Sequence, residues 1–305
     1  MDSLLSPETR KIMTSNLTWA VAIFAHNEER NIIRCLNSIR DTAENCPIEI
    51  YVLANGCSDR TESLVREYAS HHGNVQLVAI PVGDKCNAWN YFVHTVNIIA
   101  DYFFFMDGDV VAAPNALQEL ALALDNDSLT DAATALPVSG RSVATQRSNA
   151  VRDGGLMGNL YLLRARFINK VRERNVWLPS GIVGDDSLVG ALVMWDLNPA
   201  SAWNQKNIIV CETAGFAFDS MTPTSWHDWR VQWKRMIRYS RRYFEMKMLG
   251  ELLRQEGLAA LPKSNVALYQ RKLSQCTLHW RGYWTLFDML ALSQMKRMAA
   301  TAAAQ

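Results

Sequence analysis

Read for polarity alone, the first hundred residues alternate between short apolar runs and amphipathic stretches. The runs "WAVAIFA" (19–25), "EIYVLAN" (49–55) and "DYFFFMD" (101–107) are rich in branched or aromatic residues, as befits strands buried on both faces of a parallel sheet. Between the first two, "NEERNIIRCLNSIRDTA" sets Ile32, Ile33, Leu36 and Ile39 at helical spacing. The stretch "DRTESLVREYAS" (59–70) repeats that pattern with Leu64, Val65 and Tyr68; a weaker strand, "VQLVAI" (75–80), follows, and a further helix is predicted from Asn87 to about Ile99. Strand, helix, strand, helix in this order predicts an α/β fold with an open, mostly parallel sheet flanked by helices.

Ligands of such sheets bind at the carboxyl ends of the strands. The segments that follow the strands are "HNEE" (26–29), "NGCSDRT" (55–61), "GDKCNAWN" (83–90) and "DGD" (107–109). All are polar, and all are expected to converge on one edge. From about residue 221 the composition shifts to tryptophan and basic residues, "MTPTSWHDWRVQWKRMIRYSRRYFEMKMLGELL". Trp229, Trp233, Met236 and Ile237 fall on one helical face and Lys234, Arg238, Arg241 and Arg242 on another, so an amphipathic helix is expected, with a second from Trp284 to Met298. The expected organisation is an α/β domain over 1–220 and a helical region over 221–305 that packs on it or extends it.

Composition narrows the classes. With 49% hydrophobic and 20% charged residues in 305, the chain reads as globular, large enough to bury a sizeable core. A net charge of +1 argues against a nucleic-acid partner. The six cysteines form no C-x-x-C pair and no zinc-like spacing, which suggests free thiols in a reducing cytoplasm. No secretory signal and no apolar run of roughly 18 residues is evident. A cytoplasmic protein is expected, with any membrane contact peripheral, at the inner face and through the basic helix. The basic face has an alternative reading as a solvated surface over an apolar one. The oligomeric state is not legible.

In extended or turn-like backbone, residues i and i+2 point the same way, so Asp107 and Asp109 can face one ligand. The glycine between them removes a side chain and admits a bulky group. Two hard oxygen donors suit Mg²⁺ or Mn²⁺ bound together with phosphate oxygens; taken alone, D-G-D is also the sequence of an Asx-type turn. An EF-hand is excluded because "DGDVVAAPNALQ" lacks the later ligands and the glycine at the sixth position. Neither the G-x-G-x-x-G fingerprint nor the G-x-x-x-x-G-K-[ST] loop occurs, which counts against nicotinamide enzymes and P-loop ATPases.

The segments "AIFAHNEERNIIRCLNSI", "NGCSDRT", "KCNAWN", "DGD", "GDD" and "QWKRM", taken together and in that order, resemble the family 2 glycosyltransferases of the GT-A fold. The resemblance spans roughly residues 19 to 240. It implies a Rossmann-like domain and an inverting transferase of the hexosyltransferase type that uses a nucleotide-diphosphate sugar, most often a UDP- or GDP-sugar. Carried over by position, Ala25, Asn27 and Glu28 lie in the segment that borders the nucleotide. Asn55 stands where the family usually has an aspartate near the base, and Asp59 in its S-x-D-x-T helix start. Lys85 and Asn90 match the K-x-x-A-x-N segment near the donor. Asp107 and Asp109 match the D-x-D pair, with His227 where some relatives add a third metal ligand.

On the acceptor side, "GGLMGNLYLLRARF" (154–167), which includes Gly158, resembles the family's glycine-rich loop. Asp185 and Asp186 stand at its acidic pair, with Asp186 implied as the base on the acceptor hydroxyl; the same "GDDSLVGAL" also reads as a helix N-cap. Gln232 and Arg235 match the Q-x-x-R-W motif, although Met236 replaces its tryptophan. Trp229, Trp233 or Trp226 is then left to supply an aromatic platform, and Arg235 to stabilise the leaving diphosphate. The acceptor, whether small molecule, glycan or lipid, is open. Two other functions compete: a nucleotidyltransferase acting on sugar phosphates, for which no glycine-rich basic phosphate loop is present, and a non-catalytic nucleotide-sugar or lipid binding module.

Overall fold

The apolar runs become an eight-stranded sheet in the order β3-β2-β1-β4-β7-β6-β8-β5. The computed structural model describes residues 17–42, 47–140, 143–219 and 226–303. β1 (Trp19–Ala25), β2 (Ile48–Asn55), β3 (Val75–Ile80) and β4 (Tyr102–Asp107) are parallel neighbours, close to where the sequence pattern predicts them. Past β4 the sheet is mixed. β7 (Leu160–Arg164) runs antiparallel to β4 and to β6 (Ala132–Pro137), β8 (Ile208–Phe218) runs parallel to β6, and the short β5 (Val110–Ala112) closes that edge against β8.

Successive residues of a strand face opposite sides, so a strand covered on both faces must be apolar throughout. Trp19, Val21 and Ile23 join Tyr102, Phe104 and Met106 in one core cluster, whereas Ala20, Ala22 and Phe24 join Phe103 and Phe105 in the other. Phe105 stacks on Tyr161 at 4.9 Å between ring centroids and on Trp89 at 5.9 Å. Each such fully buried aromatic side chain contributes roughly 1.5–3 kcal/mol.

The helix expected over 87–99 starts earlier and ends earlier. Asp84 caps it by accepting from the Cys86 amide at 3.0 Å, and the helical segment Lys85–Asn90 passes into a wider π-turn, Tyr91–Val96. Asn97, at a left-handed φ of 50°, stops it, a conformation that asparagine tolerates better than most residues.

The C-terminal region does not stand apart from the sheet. Its long helix, Trp226–Glu256, places Phe244, Met248, Leu249 and Leu252 in the same cluster as Phe103, Leu163 and Leu188. The helices Asn265–Lys272 and Trp284–Ala303 pack against it. Among the described residues, no helix is long and apolar enough to cross a membrane, and Cys35, Cys57, Cys86, Cys211 and Cys276 are free thiols.

Candidate active site

Because β1 to β4 are parallel, the loops after them share one edge, and their polar side chains lace them together. Asn27, at a φ of 58°, accepts the Ser58 amide proton on Oδ1 at 2.8 Å. The Glu28 amide donates to Thr61 Oγ1 at 2.8 Å and the Glu29 amide to Asp59 Oδ2 at 3.1 Å. Asp59 also accepts from the Thr61 amide and hydroxyl at 2.9 and 2.6 Å. Burial raises its carboxyl, but these bonds together outweigh that and hold it below the usual range. Asn55 is buried, its Nδ2 donating to the Ala25 carbonyl at 2.9 Å. Asn90 is buried as well, and its amide clasps the Leu178 main chain in both directions, each bond 2.8 Å. In this structure Asn55, Asp59 and Asn90 hold the loops.

Lys85 is the hub. Its Nζ lies 2.6 Å from Asp107 Oδ1 and 3.4 Å from Asp185 Oδ2, and it approaches the Gly158 carbonyl at 3.4 Å. Asp185 Oδ2 is within ion-pair distance of Lys85 yet has no hydrogen bond, so the attraction is one of charge without good donor geometry. Burial works against the lysine's charge, but Asp107, Asp185 and Asp186 outweigh it and hold the ammonium well above its ordinary range. Burial pushes the Asp185 carboxyl up to about 6; Lys85 opposes this, and the neighbouring Asp186 and Asp107 charges reinforce it.

The acid pair opens the helix Asp185–Met194. Gly184 is its N-cap, and neither acid makes a side-chain cap bond. Asp186 Oδ2 lies 3.0 Å from Arg242 Nη2, and the same guanidinium bonds Ser187 through Nε at 3.1 Å. Gly158 lies against this carboxylate: a Cβ there would come within 3.0 Å of Asp186 Cβ.

The D-G-D pair is divided between two settings. Asp107 turns inward to Lys85, whereas Asp109 is exposed. Nor is the glycine between them primarily a space for ligand: the Gly108 amide bonds the Phe24 carbonyl at 2.8 Å, and a Cβ there would meet that oxygen at 3.0 Å. Glu28 faces the pair. Its carboxyl is raised by burial, with Asn31 opposing and the Asp109 and Asp107 charges adding to it. Among the described residues, no group of three or more acidic, His or Cys side chains could hold a metal alone. The donor set nevertheless fits a Mg²⁺ or Mn²⁺ ion bound through one or two carboxylates and completed by substrate phosphates: Asp109 is open and the negative charge of Glu28, Asp107 and Asp109 is concentrated there. His227 lies in the first turn of the long helix, and its side chain falls outside the described residues.

The resemblance gives Arg235 to the leaving diphosphate; the guanidinium that meets the acid pair is that of Arg242. Arg235 is exposed and donates from Nε to Tyr239 at 2.7 Å. It lies seven residues upstream, about 10 Å along the same helix, and seven residues is nearly two full turns, so the two share a face. That periodicity was the available signal. Gln232 is half-buried, Trp229 is exposed, and Trp233 packs edge-on against Phe287 at 4.8 Å. Two further positioning groups carried no motif. Asp84 accepts from the Gly181 amide at 2.7 Å, and the fully buried Glu245 accepts from the Val183 amide at 2.6 Å and from the Tyr269 hydroxyl. Beside Arg242 and Ser187 a cavity of about 400 Å³ opens, lined by Leu156, Trp195, Trp203, Met246 and Gly250 among others.

The sequence profile described as "Glycosyl transferase family 2" matches residues 20–179. No curated protein sequence matches the chain. Solved structures share its fold. A mannosyltransferase from Pyrobaculum calidifontis in complex with GDP-Man and Mn²⁺ has a TM-score of 0.58 at 18% identity, covering 94% of this chain and 75% of that one. Glucosyl-3-phosphoglycerate synthase from Mycobacterium tuberculosis, with Mn²⁺, UDP-glucose and phosphoglyceric acid, has a TM-score of 0.54 at 17% identity, covering 80% and 85%. S. aureus TarS 1–349 with UDP-GlcNAc has a TM-score of 0.51 at 13% identity, covering 94% and 92%. At these identities the likeness shows the fold, that of the GT-A enzymes.

Proposed function

Because the chain belongs to glycosyl transferase family 2, we propose that it is an inverting, metal-dependent transferase that moves a sugar from a nucleotide-diphosphate donor to an acceptor hydroxyl. The observation that carries this reading is the meeting of Asp107, Asp185 and the Gly158 carbonyl on one lysine. Strand-end, glycine-loop and acid-pair segments far apart in sequence thereby meet at one point. The solved neighbours carry GDP-Man, UDP-Glc and UDP-GlcNAc, which supports a UDP- or GDP-sugar as donor.

In the proposed reaction the acceptor oxygen gives its proton to Asp186 and forms a bond to the anomeric carbon. The bond from that carbon to the diphosphate oxygen breaks, and the diphosphate leaves with the electron pair. Arg242 and Ser187 orient the Asp186 carboxylate, and Lys85 presents fixed positive charge beside the strand end where the diphosphate is expected. A Mg²⁺ or Mn²⁺ ion held by Asp109, with Asp107, would offset the charge of the departing nucleotide. Ala25, Asn27, Glu28 and Asn55 border the nucleotide on this reading, while Arg235, Gln232, Trp229 and Trp233 lie along the acceptor's approach. The free thiols fit a reducing cytoplasm.

A specific observation favours Asp185 as an alternative base: its carboxyl is raised to about 6, and a base works best when its pKa lies near the working pH. The discriminating experiment pairs Asp186→Asn with Asp185→Asn. Each is titrated with UDP, GDP and their sugars in Mn²⁺ by calorimetry and assayed for transfer, with product anomer read by NMR. The variant of the true base keeps donor affinity and loses turnover. An Asp186→Asn protein with full turnover overturns its assignment, and transfer undiminished by chelator or by Asp109→Asn overturns metal dependence.

A further inference from the structure

The long helix carries one apolar stripe that changes its surroundings along its length. In the second half, Phe244, Met248 and Leu252 are buried against the body. Continued toward the N-terminus at the same three- and four-residue spacing, the stripe passes Ser240 and Ile237 and then Trp233, Trp229 and Trp226, with Trp229 60% and Trp226 88% exposed. A second segment lies along the same helix, with Phe287 against Trp233 and Arg281 over Tyr243 at 4.1 Å. It adds Trp280 at 85% and Tyr283 at 70%, with Leu286 and Met289 about half exposed, so the exposed aromatics form a row over about 20 Å of helix. Single exposed apolar residues are ordinary; a cluster of this size on a water-soluble body marks a contact surface.

Charge identifies the contact. Between residues 226 and 244 there are six Lys or Arg and a single acid, Asp228; in the second segment Arg281 is neutralised by the buried Asp288 at 3.1 Å, so the positive charge of the surface is that of the long helix. Arg241 and Arg242 turn inward, to the Gly181 carbonyl and to Asp186, but Arg230, Lys234 and Arg238 remain exposed along the tryptophan stripe. Tryptophan and tyrosine have an apolar ring with one polar edge, the form that settles at the boundary between headgroups and acyl chains. Interleaved basic side chains add attraction to anionic headgroups.

We propose that the surface formed by Trp226, Trp229, Trp280 and Tyr283, framed by Arg230, Lys234 and Arg238, docks the protein peripherally on a bilayer bearing anionic lipids. The proposal shares Trp229 with the acceptor's approach of the sugar-transfer reading but uses none of the acid pair, the D-G-D pair or Lys85, and vesicle capture is read without any transfer. Flotation of the full chain with phosphatidylglycerol-containing vesicles and with pure phosphatidylcholine vesicles tests it, with native fold checked by circular dichroism and with the oligomeric state measured by ultracentrifugation.

The expected result is capture by the anionic vesicles at least about tenfold above the neutral ones, reduced by salt as screening requires. Trp226→Ser with Trp280→Ser and, separately, Arg230→Gln with Lys234→Gln should each lower it by at least about tenfold. Tryptophan emission should shift to the blue on binding and be quenched by lipids brominated near the headgroup. Absence of capture, equal capture by both vesicle types, or a dimer that the tryptophan variants dissociate would overturn the proposal; the last would make the patch a contact between copies.

Discussion

Replacing Gly158 with alanine tests whether the acid pair is positioned or merely present. A Cβ at 158 would lie 3.0 Å from Asp186 Cβ and 3.1 Å from its Cγ and Oδ2, about 0.5 Å inside favourable carbon–carbon separation. Rotation about χ1 of Asp186 can relieve the outer contacts but not that to Cβ, whose position is set by the backbone. The first turn of the helix Asp185–Met194 must therefore shift, and because Arg242 holds the carboxylate at 3.0 Å, the ion pair is stretched. Overpacking of this kind costs about 1–3 kcal/mol of stability. Since a misplacement of about 1 Å can lower a rate about a hundredfold, a few tenths of an ångström predicts a loss of roughly 3- to 30-fold in kcat.

Donor affinity should hold, because the contact of Lys85 at residue 158 is to a main-chain carbonyl that alanine retains. The measurements are turnover with a labelled nucleotide sugar, donor Kd by calorimetry and Tm. Gly73→Ala is the matched control: a Cβ there meets nothing within 4 Å, so it should gain about 0.4–1 kcal/mol and leave kcat alone. An unchanged kcat in Gly158→Ala, or an equal fall in donor affinity, would refute the reasoning.

Other outcomes follow from the same geometry. Lys85→Met leaves Asp107 and Asp185 beside each other without their cation, and chemical denaturation should show a loss of about 3–5 kcal/mol. In chelator, stability should fall as pH rises from about 4 to 6: the native Asp185 carboxyl, near 6, binds its proton more tightly than the unfolded chain, so deprotonation favours unfolding. This one group accounts for a fall on the order of 2–3 kcal/mol, which Asp185→Asn should flatten. Asn90→Ala strips two bonds from the buried Leu178 main chain and should cost about 2–4 kcal/mol in denaturation, with the donor Kd from calorimetry unchanged once the protein is folded.

The parts of the site that were legible in the sequence are those that topology dictates. Parallel strands force their following loops to one edge, so placing Lys85 near Asp107 needed only the periodicity of 19–107. The partnership of Asp186 with Arg242 was not legible, because a helical face shows which residues travel together but not what the face meets. The sequence pattern groups Arg242 with the basic face of the helix, and the motif draws attention to Arg235, for the leaving diphosphate. Asn90 illustrates a different limit: a polar residue in a ligand-side motif and one that ties two backbones together look alike until the second backbone is in place. Past β4 the polarity pattern does not say which strands pair, for a related reason. Strands such as Ala132–Pro137 hold few branched or aromatic residues, and their pairing with β8 depends on contacts more than 70 residues distant.

The clasp of Glu245 on the loop that precedes the acid pair bears on how the molecule comes into being. Val183 and Arg242 are joined to their partners across 62 and 56 residues, and Tyr269, which completes the clasp, lies further still toward the C-terminus. A chain growing from the ribosome can pair β1 to β4 early, yet the acid pair Asp185–Asp186 gains its final orientation only when the last third has emerged and folded back. Fragments that stop before the long helix are then expected to bind nucleotide at most weakly and to transfer nothing, so partly made chains stay chemically silent during synthesis.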